Sequence, residues 1–291
     1  MSIESARNVS LNQTLFSSEL VEIGLFDCPR SHPLFHDSGP ISHYLVVFPR
    51  HAVRIRHEGH REVVANSRVI TLYNHAQEYR REGLSPYGDQ SFWLRFRKPE
   101  VVEALHAAGR AHSGLEKTPF AWTHACCDAE TYLLQRQLSR SLMISSDNDF
   151  LLIAEASMKL LRRAVDGTRE QEVKRRQFAA SPGARARHRR LVRRCEELLS
   201  TRAEQALTLE SIADELATTP FHLSRVFSCQ TGQSIHQYAL QLRLRMAMDR
   251  IIDHPRQRLT DIGLDAGFAT PSHFSQAFRK NFGVTPRQFR A

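Results

Sequence analysis

The last hundred residues contain an internal repeat, and a repeat limits the possible folds more than any other feature of this sequence. Two segments match at an offset of about fifty residues, and the offset grows by one midway, where a turn can absorb the extra residue. The matching residues are Leu209, Ile212, Ala213, Leu216, Leu223, Phe227, Gly232, Ser234 and Tyr238 in the first copy, and Leu259, Ile262, Gly263, Ala266, Phe274, Phe278, Gly283, Thr285 and Phe289 in the second. One small supersecondary unit is therefore expected to occur twice.

Each copy has the pattern of a helix, a short turn and a second helix. In the first copy, Thr208 is a good N-cap and Pro220 suits the first turn of the second helix. In the second copy, Gly267 is a helix stop and Pro271 opens the next helix. These signs predict two helix-turn-helix units, the first over residues 208–230 and the second over residues 259–282, joined by a helix over residues 234–252.

The second helix of each unit has a polar face. Apolar residues four positions apart bury one side of this helix, and its other side faces outward. The outward residues are Phe221, His222, Ser224 and Arg225 in the first unit, and Ser272, His273, Ser275 and Gln276 in the second. Short polar and basic side chains on a propped helix are typical of major-groove reading. Arg225 could bond a guanine with two hydrogen bonds, Gln276 could read an adenine, and Ser224 or Ser275 could bond either base.

Several motifs carry a resemblance to a known family. They are Leu209 to Tyr238, the Arg243-Leu244-x-x-Ala247 step, Asp261-Ile-Gly-Leu-Asp-Ala-Gly-Phe268, Phe274-Ser-Gln-Ala-Phe278 and Phe282-Gly-Val-Thr-Pro286. Over residues 187–290 the chain closely resembles the AraC/XylS family of bacterial transcriptional regulators. The resemblance implies a seven-helix DNA-binding domain that usually activates transcription beside RNA polymerase. It also implies an N-terminal cupin-like barrel for effector sensing or dimerisation, followed by helices.

Three residues depart from the family pattern. Gly263 stands where the family usually has Ala, and Ala217 where it often has Gly. Both are expected to be tolerated, although Gly263 loosens its helix by up to roughly 1 kcal/mol. Pro271 stands where some members place a base-contacting polar residue, so the second unit is expected to read fewer bases and to rely more on phosphates.

The basic charge is concentrated in the repeat region. The chain carries a net charge of +9, and the residues from 185 onward hold 17 Lys and Arg against 10 Asp and Glu, a net +7. Six arginines lie between Arg185 and Arg194, next to a predicted basic linker over residues 166–186. A charge run of this kind is commonly a solvated face, and here its position also favours contact with DNA phosphates.

The first half has a different pattern. Residues 43–48, 53–56, 69–73 and 92–97 are rich in β-branched and aromatic residues and are separated by turn residues, which predicts strands of a barrel or sandwich. From Pro99 the period becomes helical, and residues 128–143 and 147–165 predict a helical hairpin joined by Ser145-Ser-Asp147. The outer face of the hairpin could serve dimerisation, or it could pack on its own barrel.

The predicted fold class is therefore α+β with two domains. Residues 1–165 form a cupin-like β-barrel with a helical hairpin, residues 166–186 the basic linker, and residues 187–291 an all-α domain with two helix-turn-helix units. Aromatic residues of the strands are candidates for effector contacts, foremost Tyr44, Phe48, Tyr73 and Trp93. Arg80 or Arg81 could pair with an anionic effector, although exposed arginines are commonly solvated.

Other classes of protein receive little support. No apolar run is long enough for a membrane span, no signal peptide is evident at residues 1–10, and the five cysteines lack a framework spacing, so reduced thiols in a cytoplasm are expected. No catalytic motif of the common kinds occurs, so neither an enzyme nor a cofactor is predicted. Two motifs contain possible metal ligands, His57-x-x-His60-x-Glu62 and His124-Ala-Cys126-Cys127. The first is better explained by histidines at the surface and the second by helix packing, so no metal is predicted.

Together these features predict a cytoplasmic, sequence-specific transcriptional regulator. Its partners are expected to be double-stranded promoter DNA, RNA polymerase, a small-molecule effector and a second copy of the chain, without a membrane. Three alternatives remain: a constitutive regulator whose barrel only dimerises, a cupin enzyme fused to a DNA-binding module, and a purely structural nucleoid binder. A purely structural nucleoid binder would show equal affinity for any sequence.

Overall fold

A computed structural model of the chain describes residues 11–110, 112–115, 117–144, 149–176 and 181–290. The strand-rich unit consists of Met1–His124 and Ser141–Val165, and the helical unit consists of Ala125–Arg140 and Asp166–Ala291. The helical unit thus includes a segment from the middle of the chain, residues 125–140, which we call the inserted segment. The predicted boundaries assign this segment to the N-terminal domain, and they stay a prediction.

In the part of the chain that the structure describes, ten strands form two sheets. Their bounds are β1 (Asn12–Ser17), β2 (Val21–Cys28), β3 (Asp37–Ser38), β4 (Tyr44–Pro49), β5 (Val53–His57), β6 (Val63–Ala65), β7 (Val69–Tyr73), β8 (Tyr79–Gly83), β9 (Asp89–Phe96) and β10 (His124–Cys126). One sheet has six strands in the order β1-β2-β9-β4-β7-β10, and the other has four in the order β3-β8-β5-β6. An antiparallel ladder joins β2 to β9 from Val21 opposite Phe96 to Cys28 opposite Asp89.

The two sheets share a core because their strands alternate between buried and outward residues. In β5, Val53, Ile55 and His57 are buried, and Arg56 between them is exposed. Val53 and Ile55 pack in one cluster with Cys28 of the other sheet. The strand-rich first half is as predicted, but in the described residues the strands form two sheets and not one closed barrel. Alternation fixes which face of a strand is buried, whereas closure depends on how edge strands pair, which the pattern does not encode.

The helices that follow the strands are α1 (Lys98–Ala107), α2 (Ala129–Ile144) and α3 (Phe150–Arg176). The Asp128 carboxylate accepts a hydrogen bond from the backbone N–H of Thr131 at 2.8 Å, so it caps α2 as expected. The predicted joining residues Ser145-Ser-Asp147 lie outside the described residues. Helix α3 continues to Arg176, beyond the predicted end near Val165, because Glu, Lys and Arg sustain a helix after the apolar period has faded.

The described residues from 181 onward form seven helices. They are α4 (Pro182–Thr201), α5 (Leu209–Glu215), α6 (Pro220–Thr231), α7 (Ile235–Asp253), α8 (Leu259–Asp265), α9 (Pro271–Phe282) and α10 (Pro286–Arg290). Seven is the number of helices that the family resemblance implies, and α7 corresponds to the helix predicted over residues 234–252. Residues of α4, α5, α6 and α7 form one buried cluster around Phe227. Within the described part of the chain, no helix combines the length and apolar content needed to cross a membrane.

Candidate nucleic-acid interface

The first helix-turn-helix unit consists of α5, a tight turn and α6. The Thr208 hydroxyl accepts a hydrogen bond from the Ser211 backbone N–H at 3.1 Å, and the Ser211 hydroxyl accepts one from the Thr208 backbone N–H at 3.1 Å. This reciprocal pair fixes the start of α5. Thr219 caps α6 by accepting from the His222 backbone N–H at 3.2 Å, and Pro220 occupies the first helical turn.

The same turn occurs in both units. The backbone N–H of Ala217 donates to the Asp214 carbonyl at 3.0 Å, and fifty residues later that of Gly267 donates to Leu264 at 2.9 Å. Both turn residues have positive φ, +52° for Ala217 and +83° for Gly267. Glycine adopts this conformation freely, whereas alanine pays a steric cost of roughly 1 kcal/mol. The departure from the family pattern at Ala217 therefore places a mildly strained residue in the turn without changing its path.

Packing of α6 leaves one face outward. Leu223, Val226 and Phe227 are buried against the core of the helical unit. Phe221 is 79% exposed and Arg225 is exposed, whereas His222 and Ser224 are half-buried. The four residues predicted to face outward on α6 thus lie on one accessible side of the helix.

The second unit presents a matching face on α9. Thr270 caps α9 by accepting from the His273 backbone N–H at 3.2 Å, and Gly283 ends the helix in the left-handed conformation. Phe274, Phe278 and Phe282 are buried. The four predicted outward residues are all exposed: Ser272, His273, Ser275 and Gln276. Arg279 and Lys280, which lie outside the predicted set of reading residues, are exposed in the last turn of the same helix.

Gly263 is explained by the aromatic ring packed against it. A Cβ at residue 263 would lie 2.8 Å from Cδ1 and 2.9 Å from Cγ of Phe274. The first unit has the complementary pair at the matching positions, Ala213 and Leu223, both fully buried. The larger side chain on α9 is therefore accommodated by a smaller residue on α8.

We expect Gly263→Ala to lower the free energy of unfolding by about 1 kcal/mol. The gain in helix propensity, up to about 1 kcal/mol, is smaller than the cost of overpacking, about 1–3 kcal/mol. The second change Phe274→Leu recreates the Ala213 and Leu223 pair, so the two changes should couple favourably by about 1 kcal/mol. Urea unfolding of the wild type, both single variants and the double variant, followed by circular dichroism at 222 nm, measures this coupling. If the losses in free energy of unfolding were strictly additive, the packing of Phe274 against Gly263 would not explain the glycine.

The basic helix α4 and α6 contribute to one surface. The rings of His188 on α4 and His222 on α6 lie with centroids 5.5 Å apart. Burial lowers the pKa of His188, and the nearby His222 lowers it further. Arg187 of α4 and Arg225 of α6 lower the pKa of His188 in the same direction, so both charges lie near this ring. The sequence gives no sign of this histidine contact, because it joins residues 34 positions apart on different helices.

A cavity of about 320 Å³ lies within the strand-rich unit. Of the four aromatic residues selected from the sequence, Tyr73 and Trp93 line it. Tyr44 and Phe48 are not among its lining residues: the Tyr44 ring packs against Phe120 and the Phe48 ring against Phe92, at centroid distances of 6.5 and 6.3 Å. Period-two alternation cannot separate the two groups, because core-facing side chains of either sheet obey the same pattern.

The cavity wall also contains a buried ion pair. The side chains of Arg81 and Asp89 are 1% and 7% exposed, and an Arg81 nitrogen lies 2.7 Å from Asp89 Oδ2. The Arg81 guanidinium donates further hydrogen bonds to the Phe35 carbonyl at 3.0 Å, the Leu34 carbonyl at 3.1 Å and the Ser38 hydroxyl at 2.7 Å. Arg81 is thus engaged by the protein, whereas Arg80 is exposed and pairs with Asp37 at 2.9 Å.

The two sets of possible metal ligands do not form clusters. Among the described residues, no group of three His, Cys, Asp or Glu side chains is placed to hold a metal ion. His57 is fully buried, with its ring 4.6 Å from that of Tyr73 between centroids, and burial lowers its pKa to about 3. His57 is therefore a neutral core residue.

These observations define the class of the C-terminal region: a double helix-turn-helix domain, a fold that reads DNA in the major groove. A family model described as "Helix-turn-helix domain" matches residues 212–291.

Two of the curated relatives each match about a third of this chain. The HTH-type transcriptional regulator ArgR of Pseudomonas aeruginosa is 36% identical over 93 residues, which is 32% of this chain and 28% of ArgR. The bifunctional transcriptional activator/DNA repair enzyme AdaA of Bacillus subtilis is 32% identical over 94 residues, which is 32% of this chain and 44% of AdaA. The chain thus spans less than half the length of either relative.

A solved structure, the C-terminal domain of the response regulator AraT from Geobacillus stearothermophilus, is 32% identical, covers 34% of this chain and 83% of that domain, and has a TM-score of 0.33. The relatives confirm the resemblance found in the sequence. The C-terminal region of this chain carries a helix-turn-helix domain of the AraC/XylS type.

Proposed function

We propose that the chain is a transcriptional regulator that binds promoter DNA in a sequence-specific manner. The observation that carries the proposal is the pair of capped helices, α6 and α9, each with one buried face and one accessible polar face. A domain of the AraC/XylS type supports it, as do relatives whose names describe transcriptional regulators. Such a protein acts in the cytoplasm, where promoter DNA and RNA polymerase are present.

Specific side chains have distinct roles in this proposal. Arg225 bonds the O6 and N7 acceptors of a guanine, and Gln276 bonds an adenine. Phe221, with 79% of its surface exposed, contacts a thymine methyl group or a sugar. The small hydroxyls and the histidines of both helices bond nearby bases or phosphates: His222, Ser224, Ser272, His273 and Ser275.

Helix α7 sets the separation of the two reading helices. It has 19 residues, so it is about 28 Å long. Ser234 and Gln237 form a capping box at its start. A connector of this length allows α6 and α9 to enter successive major grooves on one side of the duplex, one helical turn apart.

The strand-rich unit acts as the sensor in this proposal. Its cavity has the size of a small-molecule site, and Tyr73 and Trp93 contribute both apolar surface and hydrogen-bonding groups. In this role the strand-rich unit resembles a cupin-like domain, because it holds a small molecule between its strands. Effector binding changes the occupancy of the promoter or the contact with RNA polymerase, most commonly as activation, and the protein acts as a homodimer.

A metabolite screen by thermal shift on the full chain tests the sensing role. A ligand that raises the melting temperature should lose its effect in Trp93→Ala and keep it in Tyr44→Ala, since Trp93 lines the cavity and Tyr44 does not. Absence of any shift across a broad screen supports the constitutive alternative instead. Chemical turnover of such a ligand by the purified protein would support the enzyme alternative.

Selection of genomic fragments by the purified chain tests the DNA-binding role. Sequencing should reveal a motif with two parts whose centres lie about 10 base pairs apart. Fragments without a shared motif would contradict sequence-specific binding. The genes next to the enriched fragments then suggest the chemistry of the effector.

The exposed arginines of α4 predict a strong salt dependence. Arg187 and Arg190 are exposed at the basic end of the helix. If each contacts a phosphate, replacing both with glutamine should weaken binding to selected and random DNA alike and reduce the slope of log K against log salt by about 2. Fluorescence anisotropy between 50 and 200 mM salt, roughly the range in which such slopes are measured, gives this value. An unchanged slope would show that these two arginines of α4 do not contact DNA phosphates.

A further inference from the structure

The inserted segment, residues 125–140, contacts the DNA-binding domain through buried polar groups. Arg245 of α7 is 1% exposed, and it donates a hydrogen bond to the Cys127 carbonyl at 2.6 Å. Its guanidinium carbon lies 4.7 Å from the centroid of the Tyr132 ring. A guanidinium is costly to bury unless it is satisfied, so this contact indicates a specific docking site on α7 for the segment.

A second buried contact lies one turn further along α7. Asp249 is 6% exposed and accepts a hydrogen bond from the Tyr132 hydroxyl at 2.8 Å. Arg136 forms an ion pair with the same carboxylate oxygen at 3.0 Å. The inserted segment thus supplies Tyr132 and Arg136 to Asp249, while α7 supplies Arg245 to the segment.

The inserted segment also contacts the last helix of the second unit. Arg140 donates to the Phe289 and Arg290 carbonyls at 2.5 and 2.6 Å, at the carboxyl end of α10. Phe289 in turn packs on Phe278 of α9, with ring centroids 6.1 Å apart. A cation at the end of a helix satisfies carbonyls that lack partners within the helix. The segment therefore bridges α7 and α10, and α10 supports α9.

We propose that residues 125–140 position the second reading helix, α9, relative to the first, α6. This inference rests on the proposed function, because it concerns how two DNA-reading helices are held. The segment clamps α10 against α7, and thereby fixes the distance and angle at which α9 is presented. The residues that flank the segment, 124 and 141, belong to the strand-rich unit.

Loosening this clamp should weaken binding only to DNA sites that contain both half-sites. Once α6 is bound, the effective concentration of α9 at its own half-site depends on how well its position matches the DNA. Loosening the clamp lowers that effective concentration and weakens binding to a complete site. A site with only one intact half is recognised by one reading helix at a time, so its binding does not depend on the relative position of α6 and α9 and should not change.

The test uses the full chain and two variants of the segment. Arg140→Ala removes the contact with α10, and Tyr132→Phe removes one hydrogen bond to Asp249 with little change in packing. Gln137→Ala is the matched control, since Gln137 is exposed on the same helix. The probes are the DNA fragment that the wild-type chain selects and two copies of it, each with one half-site scrambled. Circular dichroism establishes that each variant is folded.

Arg140→Ala should lose about tenfold in affinity for the complete site and less than twofold for either half-scrambled site. Tyr132→Phe should show a smaller loss of the same kind, and Gln137→Ala none. Equal losses on all three DNAs, or no loss on the complete site, would overturn the positioning role while leaving the proposed function intact. A wild-type chain without preference for its selected fragment would overturn the proposed function, and this inference with it.

Discussion

Replacing Arg81 with methionine is expected to lower the free energy of unfolding of the strand-rich unit by about 3–5 kcal/mol. The change leaves the Asp89 carboxylate buried without its cation, and losing one partner of a buried ion pair has a cost of this order. It also removes the hydrogen bonds by which the guanidinium holds the Leu34 and Phe35 carbonyls. The chain has two tryptophans, Trp93 and Trp122, both in the strand-rich unit, so urea unfolding followed by tryptophan fluorescence reports on this unit.

Arg80→Met is the matched control. Arg80 is the adjacent residue of β8 and forms an exposed ion pair with Asp37, both side chains being 73% exposed. Exposed pairs contribute between about 0 and 1 kcal/mol, so this variant should remain close to the wild type. Equal losses in the two variants would contradict the assignment of Arg81 as a buried structural residue.

The loss in Arg81→Met should depend on pH. Burial raises the pKa of Asp89, and Arg81 opposes that rise. Without Arg81, Asp89 keeps its proton to higher pH in the folded state than in the unfolded state. The folded state is therefore favoured at low pH and loses stability as the pH rises from the unfolded pKa of Asp89 toward the folded pKa. The difference in free energy of unfolding between Arg81→Met and the wild type should be largest near pH 7 and shrink toward pH 4. A difference that did not change with pH would show that the charge of Asp89 is not its cause.

Arg225→Ala is expected to weaken binding to the selected DNA site by about 1–3 kcal/mol, roughly fivefold to more than a hundredfold. This is the usual value of a side chain that makes two hydrogen bonds to one base. Arg225 is exposed on α6, and its loss creates no cavity and should leave the fold unchanged. Binding to random DNA should weaken much less, because no base is recognised there.

The matched control is Arg190→Ala on α4, which removes one exposed arginine expected to contact a phosphate. Its loss should be similar on selected and random DNA. Electrophoretic mobility shifts on both DNAs at a fixed salt concentration measure the four affinities. If Arg225→Ala lost the same factor on both DNAs, Arg225 would be a phosphate contact and not a base contact.

The helix-turn-helix units were predictable at the level of residues because each depends on local chemistry. Thr208, Pro220, Gly267 and Pro271 act within one turn of the chain, so caps and stops can be read directly from the sequence. The repeat adds independent support, because a buried position in one unit predicts its counterpart fifty residues later. The polar faces of α6 and α9 follow from the same periodicity.

The remaining features depend on contacts between distant residues. Nothing near Tyr132 or Arg136 indicates that these residues meet Asp249, more than a hundred positions away. Similarly, Tyr44 and Tyr73 have the same alternating context, and only the pairing of strands decides which lines the cavity. Gly263 looks like a weak helix residue until the Phe274 ring is placed against it.

The preference for selected over random DNA tests the central claim most directly. The full chain should bind a selected genomic fragment at physiological salt with an affinity at least about a thousandfold higher than it binds random duplex of equal length. Scrambling either half of the motif should remove most of that ratio. Equal affinity for both DNAs would contradict sequence-specific regulation and leave only a non-specific basic surface.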